Sequence, residues 1–100
     1  MNNSHVKALF EPFRSAKLRL DNRIVMAPMT RGFSPGGVPG QDVADYYRRR
    51  AEHGVGLIVT EGTLIDHPAA GASDRWPRFH GDDALAGWAQ VVRAVHNAGG

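Results

Sequence analysis

Two short runs decide the fold: Ile24-Val25-Met26-Ala27, closed by Pro28, and Leu57-Ile58-Val59, opened by Gly56 and followed by Thr60-Glu61-Gly62-Thr63. Each is apolar without alternation and too short for an independent helix, the pattern of a strand buried on both faces. Proline has no N–H to give to a ladder, so Pro28 marks the end of the first strand. Between the runs lies Ser34-Pro35-Gly36-Gly37-Val38-Pro39-Gly40, whose glycines and prolines dictate a loop. After it Asp42 reads as an N-cap, Val43, Ala44, Tyr47 and Ala51 recur at helical spacing, and Gly54 is placed to stop the helix.

Working outward, Leu18-Arg19-Leu20-Asp21-Asn22-Arg23 alternates and then offers an Asp-Asn turn, which predicts a short strand or hairpin arm ahead of the first apolar run. Beyond the second run an irregular loop spans about Ile65 to Gly81, punctuated by Pro68, Gly71 and Pro77. A second helix follows. Asp82 or Asp83 is placed to cap it in a sense that suits the helix dipole, Leu85, Trp88, Val92 and Val95 form its apolar face, and Gly99-Gly100 ends it. The order strand, helix, strand, helix, with both strands apolar throughout, predicts parallel strands joined by helical crossovers. Two such strands leave edges that only further strands cover, so the pattern is that of a repeat of βα units interrupted where a third strand would begin.

Composition narrows the function classes. The chain has 100 residues, a formal charge of +2 and no cysteine, which removes disulfides, thiolate zinc sites and cysteine nucleophiles and suits a reducing cytoplasm. Arg48-Arg49-Arg50 sits among Asp45 and Glu52 and reads as a solvated helix face, so no nucleic-acid partner is expected. No run is long and apolar enough for a signal peptide or a membrane span, and a soluble, cytoplasmic protein is the expectation. The five histidines show no ligand spacing, and neither a phosphate-binding Gly-Lys loop, a dinucleotide turn nor a nucleophile elbow occurs.

Chemistry therefore points to the two strand ends, Ala27-Pro28-Met29-Thr30-Arg31 and Thr60-Glu61-Gly62-Thr63. In a parallel barrel both emerge at the C-terminal face, where the βα loops build active sites. Small or flexible polar residues there admit a flat ligand close to the backbone; the competing reading is a pair of strand terminators. Tyr46, Tyr47 and Trp88 read as packing residues of helices, Trp76 as a cover over a rim loop, and Glu61 as a carboxylate bonded to neighbouring backbone or to a cation rather than a general base.

At these residues the chain resembles the Old Yellow Enzyme family of NAD(P)H:flavin oxidoreductases. The resemblance rests on Leu9-Phe10-x-Pro12, Leu20 through Arg31, Tyr46-Tyr47-Arg48-Arg49-Arg50-Ala51, Gly56 through Thr63, Gly87-Trp88 and Val95-His96-x-Ala98-Gly99-Gly100, in family order and over nearly the whole chain. It implies an α/β fold, the N-terminal portion of a (β/α)₈ TIM barrel with about two βα units preceded by a short strand or hairpin, so that residues 1–100 form an incomplete part of one FMN-binding domain. It also implies an ene-reductase: hydride from NADH or NADPH to FMN, then to an activated alkene such as an α,β-unsaturated carbonyl. Ala27, Pro28 and Met29 would lie along the flavin ring. Thr30 would hydrogen-bond near flavin O4, and Gly62 would offer backbone contact there.

A donor at O4 favours the electron-rich reduced flavin, which makes Thr30 a tuner of potential. Some branches carry cysteine at the position of Thr30 and tyrosine two residues later; Thr30 and Gly32 match the threonine type. The loop Ala72-Ser73-Asp74-Arg75-Trp76-Pro77 departs from the family's Gly-Tyr-x-x-x-Pro-Gly signature, which leaves substrate preference open. The family's flavin-contacting glutamine, its substrate-anchoring His/Asn or His/His pair, its tyrosine proton donor and its phosphate-binding residues would all follow Gly100. No catalytic residue is thus expected within this stretch, and a truncated, inert remnant of such an enzyme is the alternative reading.

Overall fold

In a computed structural model that describes residues 5–100, four short strands and two helices occupy the chain in the order β1 (Phe13–Arg14), β2 (Arg19–Leu20), β3 (Val25–Met26), α1 (Gln41–Glu52), β4 (Leu57–Ile58) and α2 (Asp82–Asn97), with single 3₁₀ turns at Lys7–Phe10 and Pro35–Gly37. β1 and β2 form the expected hairpin, with Phe13 opposite Leu20 and Arg14 opposite Arg19. β3 and β4 are parallel neighbours, with Val25 opposite Leu57 and Met26 opposite Ile58. The ladder runs on from Leu57 N–H to the Ile24 carbonyl and from Val59 N–H to the Met26 carbonyl.

Asn22 makes the corner between hairpin and ladder. Its Oδ1 accepts the Ile24 N–H at 2.9 Å, a local turn that short amide side chains favour, while its Nδ2 donates to the Gly54 carbonyl at 2.6 Å. Gly56 runs directly beneath it: a Cβ there would lie 2.8 Å from the Asn22 carbonyl oxygen. At Gly54, a φ of 95° closes α1 in the left-handed region that glycine adopts without strain.

The core lies on one face of the β3–β4 pair. Val43, Ala44 and Tyr47 of α1 meet Trp88 and Val91 of α2, and Met26 and Ile58 pack against this cluster from the strands. Trp88 satisfies its indole N–H on the Arg78 carbonyl at 3.0 Å, as a buried indole must.

Three expectations are corrected. Neither helix is capped by an aspartate: Gly40 and Gly81 stand at the N-cap positions without side-chain caps, and Asp42, Asp82 and Asp83 sit in the first turns, where the dipole still favours them. The Gly40 carbonyl already accepts Val43 and Ala44 N–H, so α1 begins before Asp42 can act as cap. The buried seam of α2 is Ala84, Trp88 and Val91, with Val95 partly buried, while Leu85 and Val92 stay exposed. The strands are covered on one face only. Val25 is 51% exposed, because among the described residues both helices pack on the side of Met26 and Ile58, and the hairpin shields the other side in part.

Two glycines separate close packing from open space. Gly56→Ala drives a methyl into Asn22 and is expected to lower unfolding free energy by about 1–3 kcal/mol. Gly62→Ala, with nothing within 4 Å of the added Cβ, leaves it within about 0.5 kcal/mol of the parent. Chemical denaturation of the two variants side by side checks both.

Candidate functional site

Parallel pairing carries the chain out of β3 and β4 at the same edge. Ala27, Pro28, Met29 and Thr30 follow the first strand and are all exposed; Gly62 follows the second and is exposed too. Met29, 52% exposed, offers apolar surface at this rim, and a methyl added to Gly62 would meet no other atom within 4 Å. Topology therefore brings the two expected segments to one rim. Thr30 has its hydroxyl at the surface, and the Thr60 hydroxyl donates to the Glu61 carbonyl at 3.2 Å.

Behind the rim the arrangement is polar and buried. Glu61 is 3% exposed and Tyr47 1%. The Tyr47 hydroxyl accepts the Glu61 backbone N–H at 2.8 Å and donates to Glu61 Oε2 at 3.2 Å, so one phenol holds both the main chain and the side chain of the same residue. The sequence-based expectation for Glu61, a bond to backbone or to a cation, is thus replaced by a bond to a phenol. Tyr47 is a packing residue as expected, but one with a polar duty at the strand end.

Arg31, directly after Thr30, lies flat over the Tyr46 ring with its guanidinium carbon 3.5 Å from the ring centroid and 4.8 Å from that of Phe33. Arg50 lies at 3.7 Å from the same Tyr46 centroid and donates to the Tyr46 carbonyl. A ring quadrupole attracts cations to its face, and a planar guanidinium can stack there where an ammonium cannot. The helix pair Tyr46-Tyr47 thereby touches both strand ends, Arg31 through Tyr46 and Glu61 through Tyr47. Two buried polar atoms of this cluster, Arg31 Nη1 and Glu61 Oε1, lack a hydrogen-bond partner among the described residues. Sequence reasoning assigned Arg31 no role; its signal was a cation immediately after a strand end, facing a tandem tyrosine on the crossover helix.

The two loops above the rim are stitched together. Ser34 N–H donates to the Arg75 carbonyl, Gly37 N–H to that of Asp74 and Arg78 N–H to that of Gly37, and Arg75 Nε reaches the Gly32 carbonyl at 3.0 Å. A bridge between Leu64 and Arg78 closes the base of the second loop, inside which Trp76 lies against Gly71, a loop-covering role in keeping with the expectation. Among the described residues no group of three or more metal-ligating side chains gathers, and no helix is long and apolar enough to cross a membrane.

The rim presents an apolar exposed segment, an exposed threonine and a glycine with open space before it. Comparison with known proteins gives this arrangement a context. Residues 8–100 match the NADH:flavin oxidoreductase / NADH oxidase family. The chain is 41% identical over 92 residues to 12-oxophytodienoate reductase 7 of Oryza sativa subsp. japonica, covering 92% of this chain and 23% of the relative. A structure of morphinone reductase in complex with tetrahydroNAD superposes with a TM-score of 0.83 at 41% identity, over 93% of this chain and 25% of that one. Old Yellow Enzyme from a Pichia species gives 0.82 at 32% identity, over 92% and 24%. The chain thus spans about a quarter of the length of the relatives it matches, and its hairpin and βα units correspond to the N-terminal quarter of their TIM barrels.

Burial, first of all, pushes the Tyr47 hydroxyl up from 10.0 to about 12; the charge and hydrogen bond of the Glu61 carboxylate act the same way, while the Glu61 N–H and Arg31 oppose them. The raised folded value means that this contribution to stability is complete below about pH 10 and is lost as pH rises through about 12. Unfolding free energy is expected to fall over that window by more in the parent than in Tyr47→Phe. Denaturant titrations at stepped pH, with tyrosinate absorbance as the readout of ionisation, check it.

Proposed function

Because the chain belongs to the NADH:flavin oxidoreductase / NADH oxidase family, we propose that residues 1–100 form the N-terminal part of a single FMN-binding TIM-barrel domain whose whole protein reduces activated alkenes. Ala27, Pro28, Met29, Thr30 and Gly62 would hold one edge of FMN, which when bound would supply hydride transfer from NADH or NADPH to an electron-poor carbon–carbon double bond, as in an α,β-unsaturated carbonyl. The observation that carries the reading is the shared rim: β3 and β4 are parallel in the register Val25–Leu57, so Ala27–Thr30 and Gly62 leave at one edge, exposed and with room before them.

In this reading Ala27, Pro28 and Met29 lie along the ring of the flavin and exclude water from that side. Gly62 lets the backbone of the second strand end approach the ring edge, which any side chain would hold off. Thr30 donates a hydrogen bond at O4, where electron density rises on reduction, and so binds the reduced flavin more tightly than the oxidised one. No residue of this stretch moves a proton or anchors the substrate; those tasks fall to parts of the barrel outside it. The names of its relatives, 12-oxophytodienoate reductase and morphinone reductase, support a small enone as substrate. A chain without cysteine suits a reducing, cytoplasmic setting.

Thr30→Ala removes one hydrogen bond of about 0.5–1.5 kcal/mol, and about 1.4 kcal/mol corresponds to roughly 30 mV for a two-electron couple. The midpoint potential of FMN bound to the protein is therefore expected to fall by about 10–30 mV on this substitution, with flavin still bound. Spectroelectrochemical titration measures it. An unchanged or raised potential removes Thr30 from the flavin edge, and a whole protein, longer than residues 1–100, that takes up no FMN removes the function.

A further inference from the structure

We propose that the crossover helix α1 sets the position of the second strand end from behind, with Tyr47 as the positioning residue that holds Glu61 and hence Gly62 at the flavin edge. The proposal rests on the flavin reading above for its functional half and on the buried Tyr47–Glu61 contact for its structural half.

The geometry is unusual for a packing contact. A phenol has one proton to donate and lone pairs to accept with, and Tyr47 spends both capacities on one residue: Glu61 N–H at 2.8 Å inward, Glu61 Oε2 at 3.2 Å outward. β4 ends at Ile58, and its ladder with β3 is last seen at Val59 N–H on the Met26 carbonyl. Between that bond and the bridge from Leu64 to Arg78, the phenol is the fixed point of the chain. Gly62 follows it directly. Glycine lacks the side-chain packing that fixes other residues, so its place depends on what holds its neighbours.

Burial makes the clamp stiff. Tyr47 sits in the core with Val43, Ala44, Trp88 and Val91, so its ring cannot shift without disturbing both helices. Each bond lies in a low-dielectric setting, where breaking it leaves an N–H or a carboxylate oxygen without a partner. Tyr46, the preceding residue, carries Arg31 on its ring face, so the same helix turn also touches the segment that leaves β3. The edges facing the flavin are thereby referenced to a single turn of α1.

Tyr47→Phe removes both bonds with little change of shape. Glu61→Gln keeps an acceptor oxygen for the phenol and keeps the backbone N–H. Amide hydrogen exchange on the flavin-free protein is the first readout. Tyr47→Phe is expected to speed exchange at the Glu61 amide about tenfold, the equivalent of one hydrogen bond, while Trp88 and Val91 of α2 keep parental rates. Glu61→Gln is expected to keep parental rates throughout. Unchanged exchange at the Glu61 amide, or equal acceleration in α2, overturns the clamp.

The second readout is the ratio of dissociation constants for reduced and oxidised FMN. Tyr47→Phe is expected to weaken the reduced form about three- to tenfold more than the oxidised form, and Glu61→Gln to keep the parental ratio. A purely structural role weakens both forms equally, and that outcome overturns the functional half. Should Tyr47→Phe not fold, the double variant Tyr47→Phe with Glu61→Gln removes the buried unpaired charge and carries the same expectation at the amide of position 61. A parent that binds no FMN yet shows the expected exchange pattern sinks the flavin reading and leaves the clamp standing.

Discussion

Parallel strands cannot be joined by a turn, and the architecture of this chain follows from that constraint. The chain leaves β3 at Met26 and must return to the opposite end before it can pair Leu57 with Val25. α1 makes that return, and its apolar stripe of Val43, Ala44, Tyr47 and Ala51 is what attaches it to the strands it connects. α2 has the same relation to the end of β4 and packs beside α1, so the core forms between two helices and one sheet face. Because both strands point the same way, both of their exits open at one rim. The candidate site is a consequence of strand direction before it is a consequence of any side chain.

Much of this was legible in the residues. Apolar runs without alternation marked the strands, Pro28 and Gly54 marked stops, and the spacing of Val43, Ala44, Tyr47 and Ala51 marked the buried face of α1 with the residues the structure buries. What escaped was set by tertiary distance. Gly40 and Gly81 act as N-caps because the loops run into the helices there, and no local preference of Asp42, Asp82 or Asp83 overrides that path. α2 carries apolar residues over a wide arc, and tertiary packing buries Ala84 and Val91 while it leaves Leu85 and Val92 exposed. The bond between Tyr47 and Glu61 joins positions on different elements, and a pattern read along the chain gives no sign of it.

The strand ends face two ways, and the chemistry on each side differs. Toward the open rim stand Met29, Thr30 and Gly62; toward the helices stand a buried phenol, a buried carboxylate and an arginine stacked on an aromatic ring. Tyr46 holds a guanidinium against each of two contacts, Arg31 and Arg50, which gathers positive charge around one turn of α1 while Glu61 supplies the buried negative charge nearby. Such a cluster is costly to rearrange, since each member moved leaves a polar group without its partner. In the proposed function this rigidity has a use: a redox ring is tuned by donors whose positions are fixed before the ring arrives.

The stitching between the loops after β3 and β4 has a consequence for how the segment can be recombined. Main-chain bonds tie Ser34 to Arg75, Gly37 to Asp74 and Arg78 to Gly37, and the Arg78 side chain packs where a Cβ on Gly37 would have to go. Each loop has turns of its own, and each also supplies acceptors for the other's donors. A chimera that imports one of them from a relative brings a backbone whose partners stay behind, whereas residues 27–40 and 59–81 exchanged together keep their shared bonds. The unit of exchange in this part of the molecule is a pair of loops, distant in the chain and single in space.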